Sequence, residues 1–326
     1  MGRGEILALL CAVVWASAVI MFKRVGERVP AFQLNLFKNT LGTLCFLATI
    51  VLMLALVGTG AEGWLTEFGL APAWGPITWR EFGLLCLSGI VGITIADTML
   101  LHALQLLGAG RMAVVDCLYT PSMILCAVVM LADRPTAGQL AGAVLVVLGV
   151  LVVGFQPGDG RTRSQLRRGI AFGAGSMLLM AFALVLVKPM LKTMPLLQLT
   201  WVRLAAAVVA ALVFLAATGR LHEMAWVRGL FGGPEPPEPR IPPPEPRKPM
   251  PWGWLVLGSW LGAYLGMGLW IAGFKFAGVT TVAVLNQTSV FFILILATIF
   301  LKEKLTLRKV LGMGLGASGV LLATLF

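Results

Sequence analysis

The chain has 326 residues, 59% of them hydrophobic and only 12% charged, with a net charge of +11 and a mean hydropathy of +0.92. Soluble domains carry about 25% charged residues, so this composition excludes an ordinary soluble enzyme, a disordered chain and a collagen-like rod. At roughly 20 residues per bilayer crossing, the apolar content makes room for about ten membrane helices.

Apolar stretches predict helices at 5–22, 39–57, 82–105, 112–131 and 137–155. A second set follows at 169–187, 200–218, 253–274, 281–301 and 310–325. In the first helix, Ala16-Ser17-Ala18 resembles a signal-peptide cleavage site, but the repeat described next argues that the segment is retained. Lys38 and Arg203 open the second and seventh helices on this reading. Asp97 lies inside the third, and Asp116 one and a half turns into the fourth, ahead of Pro121, which frees a carbonyl in that helix. Residues 219–252 form the longest polar loop, and its 234–251 stretch, PEPPEPRIPPPEPRKPMP, reads as a stiff polyproline II spacer.

The second half of the sequence copies the first. At a constant offset of 170, Gly92 meets Gly262, Gly108 meets Gly278, Ala113-Val114 meets Ala283-Val284, Asp133 meets Glu303, and Gly142 and Gly149 meet Gly312 and Gly319. The opening part aligns at 165 instead, where Lys23 meets Lys188, Pro30 meets Pro195, Gln33 meets Gln198 and Lys38 meets Arg203. Five crossings per copy return the chain to the opposite face, so the copies are expected to be inverted about an axis in the membrane plane. The expected fold is an all-α membrane protein with about ten transmembrane helices as two inverted five-helix repeats. The repeats span 1–156 and 169–326, with 219–252 inserted in the second.

Ionisable residues at membrane depth are costly and are functional candidates by default. Asp97 and Asp116 occupy the same half of the membrane. Either is a proton-binding group that uses the cost of burying a carboxylate's charge, or a carboxylate satisfied by a cation such as Arg111 or Lys38. Lys38 and Arg203 either snorkel to headgroups or hold an anionic or zwitterionic substrate between them. Asn286, the counterpart of Asp116, keeps the size and loses the charge, and with Gln287 it offers amide groups at the same depth. Trp15 and Tyr119 either line a path or pack; His102 falls off the Asp97 face and reads as packed.

The motifs of soluble catalysis are missing. No GxxxxGK[ST], HExxH or GxSxG occurs, two histidines are too few for a usual metal cluster, and the five cysteines form no CxxC pair. The chain is therefore expected not to be an enzyme and to use no cofactor. Its basic residues lie mostly between apolar segments, where they meet anionic lipid rather than nucleic acid. The run Gly312-Met313-Gly314-Leu315-Gly316 lets helices approach closely, within the chain or in a homodimer.

The W-A-S pattern at Trp15, then Lys23, the Asn35–Lys38 stretch, ALQLLGAGRMAVVDCLYTPSMILCAVVMLADRPTAGQLAGAVLVVLGV and FLKEKLTLRKVLGMGLGASGVLL resemble the EamA-type transporters of the drug/metabolite transporter superfamily. The resemblance covers nearly the whole chain apart from the proline-rich loop. It implies ten helices, a central cavity between two five-helix bundles, and ATP-independent movement of small metabolites such as amino acids, often exported in exchange for protons. The chain departs from the pattern in having Asp133 where glutamate is usual, and Phe291 in place of a second Pro121. The expected partners are a small-molecule substrate and the lipid bilayer, here the bacterial cytoplasmic membrane. A membrane scaffold or lipid-flipping subunit, supported by the proline-rich loop and the tenth helix, is the alternative. Six basic residues fall on the amino-terminal face and eighteen on the other, with Arg203 set aside as intramembrane. By the positive-inside rule both termini then lie outside, whereas transporters similar to this chain carry both inside.

Overall fold

A computed structural model describes residues 2–56, 74–132, 134–154, 162–219, 250–276, 282, 285–303 and 306–325. Asp133, Gly278, Ala283, Val284 and loop residues 220–249 lie outside the described residues. Among the described residues all regular structure is helical.

In chain order the longer helices among the described residues are α1 (Arg3–Val25), α2 (Ala31–Leu56), α3 (Trp79–Leu107), α4 (Ala109–Asp116 and Tyr119–Leu131), α5 (Ala137–Gly154), α6 (Arg163–Val187), α7 (Leu196–Ala217), α8 (Trp252–Phe276), α9 (Ser289–Phe300) and α10 (Leu307–Leu325), with a single helical turn, Met190–Thr193, between α6 and α7. Among the described residues seven helical stretches are long and apolar enough to cross a membrane: α1, α2, α3, Ala109–Met130, α6, α7 and α8. Ala137–Val152 and Leu285–Phe300 are shorter apolar helices. Large apolar side chains such as Val51, Val129 and Ile299 are exposed on the outer surface. That surface suits lipid, because helices satisfy their backbone polar groups internally and leave apolar side chains to face the hydrocarbon.

Helix starts carry their sequence signatures. Thr78 Oγ1 accepts the Glu81 N–H at 3.3 Å, and Glu81 Oε2 accepts the Thr78 N–H at 2.9 Å, a reciprocal box that opens α3. Thr162 with Gln165 does the same for α6, and Thr136 with Gln139 for α5.

The expectation that Lys38 and Arg203 open their helices is corrected. α2 begins at Ala31, directly after Pro30, and α7 at Leu196, directly after Pro195. Proline's fixed φ and missing donor suit a helix start. Both cations consequently lie two turns inside, each 4% exposed. α4 also starts earlier than expected, at Ala109, and breaks at Cys117–Leu118. Pro121 has no N–H to give the Cys117 carbonyl, which accepts instead from Thr120 N–H at 3.3 Å. The second half breaks at Thr288 without a proline, where the Thr288 N–H and its Oγ1 both donate to Leu285 O, at 3.1 and 2.6 Å.

Two stretches of π-helix interrupt α3 and α8, Ile90–Ala96 and Trp260–Gly266, and they fall 170 residues apart. Such widened turns cluster at functional sites and shift the register of whatever follows. Here they set the orientation of Asp97 and Met267, the first residues after each.

Packing crosses between the halves. α1 lies against α8 and α9, and α6 against α3 and α4. A Cβ on Gly273 would meet Ala8 Cβ at 3.7 Å, and one on Gly173 would meet Ala103 Cβ at 3.6 Å. α5 packs along α10 through glycine backbones: a Cβ on Gly149 would sit 2.6 Å from Gly312 O, and one on Gly319 would sit 2.5 Å from Gly142 O. The small-residue face of α10 is thus occupied by α5 of the same chain.

Candidate functional site

A cavity of about 170 Å³ lies between α1, α2, α3, α4, α6, α7, α8 and the turn before α9. Trp15, Lys38, Asp97, Asp116, Tyr119, Arg203, Asn286 and Gln287, all singled out from sequence, line it together.

Lys38 and Asp97 are joined at one wall, Nζ to Oδ2, at 2.5 Å. Both side chains are nearly closed off, at 5% and 6% exposure. Of the two cations considered for Asp97, it is Lys38 that pairs with it. The pair is placed by the π turn and by Asn35, one turn before Lys38 on α2. Asn35 Nδ2 donates to Ile93 O at 2.8 Å and to Thr98 Oγ1 at 3.0 Å, occupying a carbonyl of the widened turn. Asn39 Nδ2 in turn donates to Asn35 Oδ1 at 2.9 Å. In α8, the Gly266 carbonyl ending the second π turn accepts from Cys11 Sγ at 3.4 Å.

Arg203 stands differently. Its guanidinium is buried, and Nε and Nη1 have no hydrogen-bond partner among the described residues. Tyr119 OH, both amide atoms of Asn286 and Nε2 of Gln287 are also buried without a partner. Asp116 ends the first segment of α4, half-buried, with its carboxylate unpaired among the described residues. A wall with this many unmet polar groups is poised to bind a solute or water, because such groups are not left empty in apolar surroundings without cost.

Sequence reasoning missed the apolar part of the lining, chiefly Met177, Met180, Met267, Trp270 and Phe274. The repeat register held the signal: Met180 is the counterpart of Trp15, Met267 of Asp97 and Trp270 of Leu100. His102 packs edge-on against Phe172, ring centroids 4.8 Å apart, outside the cavity.

The apolar helices and the chamber among them define an all-helical integral membrane protein. Its sequence matches the model of the EamA-like transporter family over residues 2–155 and 237–325. The chain belongs to that family, whose members are membrane transporters of the drug/metabolite superfamily. Residues 156–236, which hold α6, α7 and Arg203, lie outside the match. A solved structure described only as "Crystal structure of protein" shares the fold, with a TM-score of 0.61 and 16% identity over 100% of this chain and 98% of that one. No curated protein matches in sequence.

Proposed function

We propose that the chain is a secondary transporter, an exporter of small metabolites such as amino acids. It works by alternating access of two inverted five-helix repeats in a bacterial cytoplasmic membrane. The observation that carries this reading is the cavity, whose lining comes in repeat-related pairs: Trp15 with Met180, Lys38 with Arg203, Gly92 with Gly262, Asp97 with Met267, Asp116 with Asn286 and Tyr119 with Ser289. Midplane sites built from equivalent positions of two repeats are what inverted carriers present to both faces in turn.

Reciprocal contacts support the inverted arrangement. If residue i of one copy touches j of the other, a twofold relation requires j's counterpart to touch i's. Gly149 on Gly312 and Gly319 on Gly142 obey that rule, as do Gly273 on Ala8 and Ala103 on Gly173. The coupling step assigns proton exchange to Asp97 or Asp116, with substrate held near Lys38 and Arg203.

Purified protein in liposomes, given a broad metabolite panel under an imposed pH gradient, tests the reading. Flux of at least one class is expected, and no flux across the panel sinks it. Asp97→Asn and Asp116→Asn variants are expected to change the pH dependence of flux; an unchanged profile in both removes the proton role.

A further inference from the structure

The two cations of the cavity occupy equivalent positions yet have unequal surroundings. Lys38 is neutralised by Asp97, the first residue after the π turn of α3. The equivalent residue after the π turn of α8 is Met267, a thioether that cannot neutralise Arg203. No ion pair within 4 Å joins Arg203 to Asp97 or Asp116 among the described residues, and the Asp97 charge, engaged by Lys38, acts on Arg203 only from farther off. Arg203 is thus a cation 4% exposed, with two of its three guanidinium nitrogens unmatched.

Its position is built rather than incidental. Gly89 lies so close to the Arg203 backbone that a Cβ would not fit, which seats α3 directly on α7. Gly92, one turn on, faces the guanidinium, and a Cβ there would stand 3.7 Å from Nη2. An unpaired buried charge is expensive, and a guanidinium presents a planar fork matched to a carboxylate.

We propose that Arg203 is the anion subsite of the cavity and takes a carboxylate of the transported molecule, while Lys38, held by Asp97, does not. The rest of the ligand lies against the apolar wall of Met177, Met180, Trp270 and Phe274. This rests on the transporter reading and deepens it by naming the group the site requires. Asp116 and Tyr119 stay free to meet a second polar group of the same ligand.

The test uses the full-length protein in detergent and four probes with one branched aliphatic body: leucine, 4-methylpentanoate, leucinamide and isopentylamine. Thermal unfolding is followed at increasing probe concentration. The two carboxylates are expected to raise the midpoint, and the amide and amine to leave it unchanged. Arg203→Met is expected to unfold, without ligand, at the wild-type temperature or higher, since an unpaired charge has been removed. Its carboxylate response is expected to weaken at least tenfold in midpoint concentration, and Arg203→Lys to fall between. The proposal is overturned if the amide stabilises as well as the acids, if none of the four acts, if Arg203→Met keeps the acid response, or if ligand-free Arg203→Met melts well below wild type. Liposome flux separates the two ideas: transport of uncharged solutes alone removes the carboxylate subsite and leaves the carrier, whereas no flux of any solute removes the carrier.

Discussion

Breaking the Lys38–Asp97 pair gives the sharpest energetic prediction. In Asp97→Asn the shape is kept and the charge lost, so Lys38 becomes a buried cation without a counter-ion. Removing one partner of a buried pair costs about 3–5 kcal/mol, whereas replacing both by apolar groups is often neutral or better. The exposures of 5% and 6% and the 2.5 Å separation place this pair in that class rather than among surface pairs. The Phe22 ring, whose centroid lies 5.9 Å from Lys38 Nζ, offers a cation–π contact worth about 2 kcal/mol when desolvated, and the amide oxygen that Asp97→Asn leaves in place still accepts a hydrogen bond, so the lower end of that range applies. Asp97→Asn is therefore expected to lose about 3 kcal/mol, Lys38→Met a similar amount, and the double variant Lys38→Met/Asp97→Leu no more than about 1 kcal/mol. Denaturant unfolding in micelles measures all three. A single Asp97→Asn loss under about 1 kcal/mol, or a double variant as unstable as the two single losses added, refutes the reasoning.

Three further expectations use the same unfolding assay or a simple accessibility reading. Gly149→Ala and Gly319→Ala drive a methyl into the backbone carbonyls of Gly312 and Gly142, so each is expected to lose about 1–3 kcal/mol by overpacking. Gly314→Ala meets nothing within 4 Å, and is expected to be neutral or to gain up to about 1 kcal/mol from helix propensity; equal losses at all three positions would contradict the packing. Glu303 accepts the Ala109 and Gly110 N–H groups at 2.8 and 3.1 Å and lies 3.3 Å from Lys309 Nζ, so Glu303→Ala is expected to lose about 1–2 kcal/mol as a helix cap. The same variant should also expose backbone amides at the start of α4, read as faster hydrogen exchange confined to Ala109–Met112.

Much of this architecture was legible in the chain. Apolar runs located the helices because membrane spans are long enough for composition to decide, and the repeat register flagged the polar residues that line the cavity. Helix starts were less visible: the first turns of α2 and α7 mix Gln33, Asn35, Gln198 and Thr200 among apolar residues, and read as loop by hydropathy. Pro30 and Pro195 marked the true starts, and taking them as such would have moved Lys38 and Arg203 inward and made Lys38 the partner of Asp97. The π turns leave no signature in residue type, and the groups that meet their carbonyls, Asn35 and Cys11, lie on other helices across the interior. The apolar lining was hidden for the opposite reason: Met177 and Trp270 look like any other buried residue until a cavity is known to face them.

The exchange of α1 and α6 between the halves bears on how the protein is made. α1 is synthesised first, yet the surface that receives Met21, Phe22 and Ala8 consists of Gly258, Gly262 and Gly273, about 240 residues later in the chain. At 5–20 residues per second, α1 waits on the order of 10–50 seconds for its partner to emerge from the ribosome. Throughout that interval lipid, or the insertion machinery, has to stand in for α8. The amino-terminal half cannot complete its own packing, and maturation of the molecule is paced by delivery of α8.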